Sequence, residues 1–338
     1  MRLTVLDLTR LLPGGYATHL LGEMGARIIK IEDPARGDYL RDFPFPLEDG
    51  MSAYFHAINR GKQSVALDLK KSPEILLRLV KHADVVIEGN RPGVMDRLGL
   101  GYEALSAQNP LIIYCSLIGY PSGGPYRNRA GHDINYVGMT GLIDINRGQD
   151  GFPTMPCLQI ADLAAGSQTV SRILQAVIER GESGHGERIE VDMVSGTAAT
   201  MLFMASPAVL AAHSARWEDL MLNGQIACYN LYPTADGRWM SVANFEEKFW
   251  KSFCVAVGRE EWIGDQFSRS VEFRRKVSEL FGSRTQKDWI AAFQEVDTCI
   301  EPILTINEAA ERGLFQYPDK PAPRLGEHTK EVLREFGQ

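Results

Sequence analysis

The sequence has no excess of positive charge and no long apolar run. Its 338 residues carry 36 Lys and Arg against 43 Asp and Glu, which gives a formal charge of −7 and a pI near 5.6. Proteins that bind nucleic acid usually present a basic face, so this balance argues against a nucleic-acid partner. No stretch approaches the roughly 18 uninterrupted apolar residues of a membrane-spanning helix, so no membrane partner is predicted.

Cysteine and histidine are also scarce, and neither forms a recognisable cluster. The five cysteines are scattered without a CxxC pair, which favours free thiols in a reducing compartment. The seven histidines form no HxH, HExxH or His/Cys cluster, so no metal site is predicted. The opening stretch MRLTVLDLTRLLPGG has charges inside its apolar run, unlike a secretory signal. A soluble, cytoplasmic protein is therefore expected.

The first half of the chain alternates strand-like and helix-like segments. Segments that read as short strands occur at 2–8, 26–32, 64–69, 84–90, 111–117 and 188–193. Segments with helical spacing lie between them, and 160–180 predicts one long helix that ends at Gly181. We interpret LLPGG, directly after the first strand, as a turn. Strands separated by helices predict βαβ units, and hence an α/β fold with a mainly parallel sheet.

The length of the chain exceeds the usual size of a single core, so two domains are expected. The texture changes near residue 217, where LYPTADGRWMSVAN predicts a hairpin through Asp236-Gly237. An amphipathic helix, EEKFWKSFCVAVG, follows it. The predicted organisation is a large α/β domain over 1–195 to which 311–338 returns, a buried connector helix over 196–217 and a small α/β domain over 218–310.

Glycines follow the first strand without the fingerprint of a dinucleotide site. The stretch Pro13-Gly14-Gly15-Tyr16 fails the G-x-G-x-x-G pattern, so a dehydrogenase is only weakly indicated. Basic side chains in loops near predicted strand ends are more informative, because several of them beyond a parallel sheet can hold phosphates. They are Arg36, Arg41, Arg60, Lys62 and Arg91. Ordinary solvated charge is the alternative interpretation of each.

Three further residues are candidates for acid–base chemistry. His132, in AGHDINY, is open to interpretation as a metal ligand, a packed ring or a general acid–base group, since imidazole titrates near neutral pH. Asp162 and Glu246 each lie near the start of a predicted helix. A carboxylate there is stabilised by the helix dipole, so each is either a helix-start acid or a catalytic carboxylate. Spacing alone does not decide between these alternatives.

Seven blocks of the chain occur in a distinctive order. They are LLPGGYATHLLGEMGARIIKIE, NRGKQSVALDLK, EGNRPGVMDRLGLGYEAL, AGHDINY, YPTADGRWMSVANFEEKFW, CIEPILTINEA and GEHTKEVL. In these blocks the chain resembles the family III CoA-transferase superfamily (CaiB/BaiF type), and in particular its α-methylacyl-CoA racemase branch. The resemblance covers almost the whole chain.

The resemblance implies a Rossmann-like large domain that binds acyl-CoA thioesters, with coenzyme A as part of the substrate and no tightly bound cofactor. It implies an interlocked homodimer, with the active site between one subunit's large domain and the other's small domain. It also implies that His132 and Asp162 flank the substrate α-carbon and that Glu246 pairs with the imidazole. The implied contacts to CoA phosphates are Arg36, Arg60, Lys62 and Arg91, of which Arg91 is the best matched.

The implied reaction is inversion of C2 of a 2-methylacyl-CoA-like thioester by 1,1-proton transfer. It requires an acid and a base on opposite faces of the carbon and stabilisation of an enolate, for which we expect N–H groups at the start of the Asp162 helix. The alternative is a CoA-transferase in which Asp162 is the nucleophile and carries an aspartyl-CoA thioester. The stretch Asp162-Leu-Ala-Ala-Gly is closer to that branch. A catalytically silent acyl-CoA-binding protein is a third possibility.

Overall fold

The computed structural model describes residues 3–148, 150–206, 210–211, 217–315 and 320–337. The chain divides into two compact units. The first comprises Met1–Asp144, Pro153–Phe203 and Tyr317–Gln338, and the second comprises Ile145–Phe152 and Met204–Gln316. No helix within the described ranges is both long enough and apolar enough to cross a membrane.

The first unit is built on a six-stranded, wholly parallel sheet with strand order β3-β2-β1-β4-β5-β6. Its strands are β1 (Thr4–Leu8), β2 (Arg27–Glu32), β3 (Gln63–Ala66), β4 (Val85–Glu88), β5 (Ile113–Ile118) and β6 (Arg188–Asp192). The predicted α/β fold with a mainly parallel sheet is confirmed. This strand order reverses direction between β1 and β4, and the crevice outside such a reversal is where doubly wound sheets bind ligands.

Helices connect the strands. In chain order to residue 205 they are α1 (Leu11–Glu23), α2 (Ala53–Asn59), α3 (Pro73–Val80), α4 (Val94–Arg97), α5 (Tyr102–Ser106), α6 (Asp133–Met139), α7 (Leu142–Ile145), α8 (Ile160–Ser183), α9 (Met193–Thr200) and α10 (Leu202–Ala205). A 3₁₀ helix spans Tyr39–Asp42. Helix α8 continues through Gly181 and ends before Gly184, which adopts a left-handed φ of 71°. The predicted end at Gly181 is therefore three residues early.

The prediction that LLPGG forms a turn is wrong, because α1 already begins at Leu11. Pro13 is tolerated in the first turn, where an N–H has no helical partner. Gly14 is required by close packing, since a Cβ there would lie 2.2 Å from the Thr9 side chain. Likewise, a Cβ on Gly15 would lie 2.5 Å from Ile58. These glycines allow the helix to start close against its neighbours.

Alternate side chains of the central strands enter two apolar cores on opposite faces of the sheet. Val5 and Ile87 share one core with side chains of α1 and α8. Leu6 and Val86 share the other with side chains of α3. The fully buried parallel sheet follows from this double coverage, which also explains why its strands read as nearly continuous apolar runs.

The second unit contains a three-stranded antiparallel sheet with the order β7-β8-β9. Its described strands and helices are β7 (Tyr229–Pro233), β8 (Trp239–Ala243), β9 (Ile300–Pro302), α11 (Glu247–Ala256), α12 (Val271–Phe281), α13 (Gln286–Phe293) and α14 (Ile306–Glu311), with 3₁₀ turns at Trp217–Asp219 and Glu260–Asp265. The predicted hairpin through Asp236-Gly237 is confirmed, with Gly237 at a φ of 73°. The final helix, α15 (Thr329–Glu335), returns to the first unit, where Val332 is buried in the core beside α3.

The stretch 196–217 is not one buried helix. Helix α9 ends at Thr200, and α10 is a single short turn. The side chains of Leu202 and Phe203 are 71% and 76% exposed. Residues 207–209 and 212–216 lie outside the described residues.

Candidate active site

The start of helix α8 is organised by the carboxylate of Asp133. Its Oδ1 accepts hydrogen bonds from the main-chain N–H groups of Ala161 at 2.7 Å and Asp162 at 3.2 Å. The N–H of Leu163 instead donates to the carbonyl of Gln159. A carboxylate at a helix N-terminus satisfies N–H groups that have no helical partner and interacts favourably with the dipole. Asp133 directly follows His132, so its hydrogen bonds link the start of α6 to the start of α8, the helix that carries Asp162.

The expectation that N–H groups at the start of this helix stabilise an enolate is wrong. The N–H groups of Ala161 and Asp162 are already bonded to Asp133. N–H groups that already donate to the Asp133 carboxylate are not available to a thioester oxygen.

The carboxyl group of Asp162 lies half-buried in the first turn of α8. Removal from water raises its pKa from 3.8 to about 7, and the negative charge of Asp133 contributes to the rise. A carboxyl group with this pKa is present in both protonation states near neutral pH. That property suits a general acid–base group.

His132 is the exposed residue directly before α6, and its main chain is fixed on both sides. Its N–H donates to Asn135 Oδ1 at 3.0 Å, and its carbonyl accepts from the N–H of Asn135 at 2.8 Å. The hydroxyl of Tyr136 donates to the carbonyl of Gly131 at 2.7 Å. Asn135 and Tyr136 of α6 thus hold the backbone of Gly131 and His132, from which the imidazole projects.

A cavity of about 280 Å³ brings His132 and Asp162 together. It lies at the carboxyl edge of the parallel sheet, where the loops after β1 and β4 diverge. Besides these two residues its wall includes Leu8, Thr9, Arg10, Leu11, Gly14, Tyr39, Gly89, Asn90, Gly131 and Tyr136. Among the residues that the structure describes, no group of three or more His, Cys, Asp or Glu is arranged to hold a metal ion.

A second cavity, of about 140 Å³, lies along the same edge of the sheet. It shares Leu8, Thr9, Arg10 and Asn90 with the first cavity. The remaining wall comes from the ends of β2 and β3 and from the start of α4. Two adjacent recesses outside a reversal in strand order form the type of crevice that holds a nucleotide-bearing ligand in doubly wound folds.

The basic residues predicted from the sequence occupy different environments. Arg36 is exposed, with its guanidinium 4.5 Å from the centre of the Tyr39 ring. Arg91 is exposed after β4 and lines a small recess that also contains Asn90. Arg60 is half-buried, and its Nη1 lies 3.4 Å from the carbonyl of Lys320.

Lys62 is not placed as a phosphate contact. Its ammonium is buried and donates to Gly15 O at 3.0 Å, Thr18 Oγ1 at 2.7 Å and Asn59 Oδ1 at 2.9 Å. An ammonium has three hydrogens, so these three bonds use all of them. Burial also lowers the pKa of Lys62 to about 7, and its hydrogen bonds commit the side chain to the interior of the first unit instead of a CoA phosphate. Arg41 is also turned inward, since it bonds both carboxylate oxygens of Glu32.

Glu246 lies in the second unit, directly before α11. Its side chain is exposed, and its carbonyl accepts from the N–H groups of Phe249 and Trp250. The described residues that line the cavity with His132 and Asp162 all belong to the first unit. The role predicted for Glu246 stays a prediction.

Two of the residues that line both cavities, Arg10 and Asn90, were not among the predicted site residues. Each lies two residues beyond the end of a parallel strand, so the position that favoured Arg36 and Arg91 favours these two residues as well. Asn90 is held by Glu88, whose Oε2 accepts its main-chain N–H at 2.7 Å and its side-chain amide at 3.1 Å. Arg10 donates to the hydroxyl of Tyr39 at 2.9 Å.

Comparison with known proteins gives consistent matches over the whole chain. Residues 2–324 match the family model for CoA-transferase family III. Human α-methylacyl-CoA racemase is 32% identical, over 99% of this chain and 92% of that protein. Mouse succinyl-CoA:glutarate CoA-transferase is 30% identical, over 98% of this chain and 85% of that protein. The crystal structure of a CaiB/BaiF family protein from Brucella suis gives a TM-score of 0.84 at 29% identity, covering 99% of this chain and 98% of that one.

Proposed function

The chain belongs to CoA-transferase family III, and we propose that it inverts C2 of a 2-methylacyl-CoA-like thioester by 1,1-proton transfer through an enolate. The observation that carries the proposal is that His132 and Asp162 line one cavity. One of the two groups removes the α-proton, and the other returns a proton to the opposite face. The substrate thus changes configuration without a change in composition, and the two groups exchange protonation states.

The electrostatics of Asp162 favour acid–base chemistry over nucleophilic attack. Burial raises the pKa of its carboxyl group to about 7, so both states are populated near neutral pH. Such a group serves as an acid in one direction and as a base in the other. A nucleophilic carboxylate must be ionised, and a raised pKa reduces its ionised fraction. An anhydride mechanism also leaves the neighbouring imidazole of His132 without a required role.

The two adjacent recesses are where we propose that the ligand binds. We place the thioester and acyl group in the cavity with His132 and Asp162, and the nucleotide end of CoA in the second cavity. Arg36 lies between Asp33 and Gly37, which both line the second cavity. Arg36 and Arg91 are the proposed phosphate contacts, and Arg60, between α2 and β3, is a further candidate.

Proton exchange tests the proposal directly. One enantiomer of 2-methylacyl-CoA, incubated with the protein in D₂O, should acquire deuterium at C2 and lose its stereochemical purity. His132→Ala and Asp162→Ala should each abolish this exchange. His185→Ala removes an exposed histidine from the turn after α8 and is the matched control that should retain it. Absence of exchange from a broad panel of α-substituted thioesters would refute the proposal.

We further propose that Glu246 acts from a second copy of the chain in a homodimer. The first unit exposes several large apolar side chains just before α8 and at the end of its segment Pro153–Phe203. Met155, Leu158, Leu202 and Phe203 are 74%, 61%, 71% and 76% exposed. Apolar surface of this kind is typical of a protein interface. A partner that covers these residues would complete a site that the first unit alone leaves without Glu246.

Subunit complementation separates a shared site from one formed within a single chain. When His132→Ala and Glu246→Ala chains are co-expressed, a shared site regains one intact His132–Glu246 pair per mixed dimer. Activity should then return in the mixed dimers, although each variant alone is inactive. Mixed dimers without activity would show that both residues act within the same chain.

A CoA-transferase is the second candidate, because a transferase relative is nearly as similar as the racemases. In this reaction Asp162 would attack the thioester and later carry CoA as an aspartyl thioester, which a free acid would resolve. A mass increase on Asp162 during turnover and ping-pong kinetics would support it. His132→Ala separates the two, since a transferase should retain much of its activity and a racemase should lose it.

A further inference from the structure

Four ionisable side chains are buried together beneath the loop that joins β1 to α1. They are Asp7, Lys30, Asp38 and Lys62, here called the anchor cluster, and each is at most 4% exposed. Lys30 Nζ lies 2.9 Å from Asp38 Oδ2 and 3.8 Å from Asp7 Oδ2. Lys62 Nζ lies 3.6 Å from Asp7 Oδ2. Desolvation offsets much of the attraction in such pairs, and apolar residues often stabilise a core equally well, so stability alone is a weak explanation for this cluster.

The anchor cluster makes direct contacts to the loop above it. Asp7 Oδ1 accepts from the N–H of Thr9 at 2.9 Å and from its hydroxyl at 2.5 Å. Lys30 Nζ donates to the carbonyl of Thr9 at 3.0 Å. Asp38 Oδ1 accepts from the N–H of Leu11 at 3.0 Å. The two main-chain groups of Thr9 and the N–H of Leu11 thus bond to charged side chains, which bind more strongly than neutral partners.

Lys62 connects the anchor cluster to the first two helices. Its three hydrogen bonds reach Gly15 and Thr18 in α1 and Asn59 in α2. The hydroxyl of Thr18 also donates to Asp7 Oδ2 at 2.7 Å. The cluster therefore holds the strand, the loop and the start of the helix in one network.

The loop that is held in this way is strained. Leu11 has a φ of 61°, in the left-handed region that a leucine rarely adopts. Such a conformation persists only where the surrounding contacts enforce it. The N–H of this same residue donates to Asp38. The strained residue and its neighbours Leu8, Thr9 and Arg10 line the cavity that contains His132 and Asp162.

We propose that the anchor cluster is a positioning device, which holds the loop Leu8–Leu11 as the shared wall of the two cavities. The inference rests on the proposed function of these cavities as an acyl-CoA site. Leu8, Thr9 and Arg10 belong to both cavity walls, so a displacement of the loop changes both the fit of CoA and the position of the thioester. Asp7, Lys30, Asp38 and Lys62 act through the loop and contact no reacting atom.

Asp38 is the best residue for a test, because it is also the N-cap of the 3₁₀ helix Tyr39–Asp42 and accepts from the N–H of Leu40. Asp38→Ser keeps a capping hydroxyl but is too short to reach Leu11 as well. Asp38→Asn keeps the Oδ1 acceptor for Leu11 and Leu40, but it replaces the Oδ2 that faces Lys30 with an NH2 donor. The matched control is Asp84→Asn at the opposite end of the sheet, where Asp84 accepts from the N–H of Thr4 in β1 and pairs with Arg180.

Hydrogen exchange by mass spectrometry on peptides that span residues 8–14 measures the loop without reference to any reaction. In Asp38→Ser these amides should exchange faster, KM for the acyl-CoA should rise and kcat/KM should fall by about 10- to 100-fold, the range expected for a misplaced catalytic wall. Asp38→Asn should recover the part of both losses that comes from the bonds to Leu11 and Leu40, and Asp84→Asn should match the wild type at the loop. Should Asp38→Ser fail to fold, Thr9→Val removes only the hydroxyl bond to Asp7 and should loosen the same peptides.

Loop protection that is unchanged in Asp38→Ser would overturn the inference, and so would a loosened loop with unchanged kcat and KM. Should the wild type neither exchange nor transfer with any thioester, the proposed reaction fails, and the calorimetric affinity for CoA decides the inference. Affinity weakened in Asp38→Ser but not in Asp84→Asn supports the positioning role. Equal affinity in all three proteins refutes it.

Discussion

Replacement of Asp162 by asparagine should stabilise the first unit at alkaline pH and leave its stability unchanged at acidic pH. Burial, with the charge of Asp133, raises the pKa of this carboxyl group from 3.8 to about 7. Between these values the native state binds a proton that the unfolded chain has released, so the contribution of Asp162 to stability falls as pH rises through about 7. Asparagine is neutral at every pH and removes this dependence.

The size of the effect follows from the shift. Each unit of pKa corresponds to about 1.4 kcal/mol, so a rise from 3.8 to about 7 has an upper limit of about 4 kcal/mol. Asp162 is only half-buried, and screening by solvent reduces this value. We expect Asp162→Asn to increase the free energy of unfolding by about 2 kcal/mol at pH 8 and by about zero at pH 4.

The assay must follow the first unit alone. All five tryptophans lie between residues 217 and 289, in the second unit, so tryptophan fluorescence would report the other transition. Hydrogen exchange on peptides of α8 and β5, measured from about pH 4 to pH 8 with correction for the intrinsic exchange rate, gives the stability of the correct unit. Glu182→Gln removes an exposed carboxylate from the last turn of the same helix and is the control. A gain at pH 8 no larger than that of Glu182→Gln, or an equal gain at pH 4, would refute the reasoning.

Three other changes have defined outcomes. Asp133→Asn removes the negative charge beside Asp162 and should lower the pKa of Asp162. The limb of the pH–rate profile that reports Asp162 should therefore move to lower pH. An unchanged profile would contradict the coupling between the two carboxyl groups. Gly166→Ala places a Cβ 2.8 Å from the carbonyl of Pro13, which should push α8 away from α1. This change should lower the free energy of unfolding by about 1–3 kcal/mol and slow α-proton exchange. At Gly181 a Cβ meets no atom within 4 Å, so Gly181→Ala should leave both stability and exchange unchanged. Tyr136→Phe removes the hydroxyl hydrogen bond to Gly131 and should lower the free energy of unfolding by about 1 kcal/mol. The rate of α-proton exchange should fall while KM stays unchanged. An increase in KM alone would show that Tyr136 contacts the ligand.

The sequence predicted the elements of the first unit because their apolar pattern is simple. A strand that is covered on both faces reads as an apolar run, as in β4 and β5, and the helices between such strands require a parallel sheet. The prediction of a turn at LLPGG was wrong because glycine occurs for two different reasons. It allows backbone conformations that other residues avoid, and it lacks a Cβ and so permits close packing. Here the second applies, since Gly14 faces Thr9 inside a helix.

The candidate site was predictable in its residue types and only partly in its arrangement. His132 and Asp162 were selected by resemblance, and the cavity that contains both is a property of the folded unit. The bond from the N–H of Asp162 to Asp133 joins the starts of two helices, and no local pattern announces it. Arg10 and Asn90 could have been predicted from the sequence, because each lies at or just beyond the end of a predicted strand, where loops form the cavity wall.

By itself the amino-acid sequence determined the order of strands and helices, the parallel sheet and the family, since these depend on patterns repeated over many residues. Only the tertiary structure decided the environment of individual charges. Lys62 turns into the interior because Asp7, from a strand distant in sequence, lies where its ammonium can pair. Asp162 acquires a pKa near neutrality because folding removes it from water and sets it beside Asp133. Desolvation and Coulomb interactions depend on distances across the fold, and a linear pattern does not contain them.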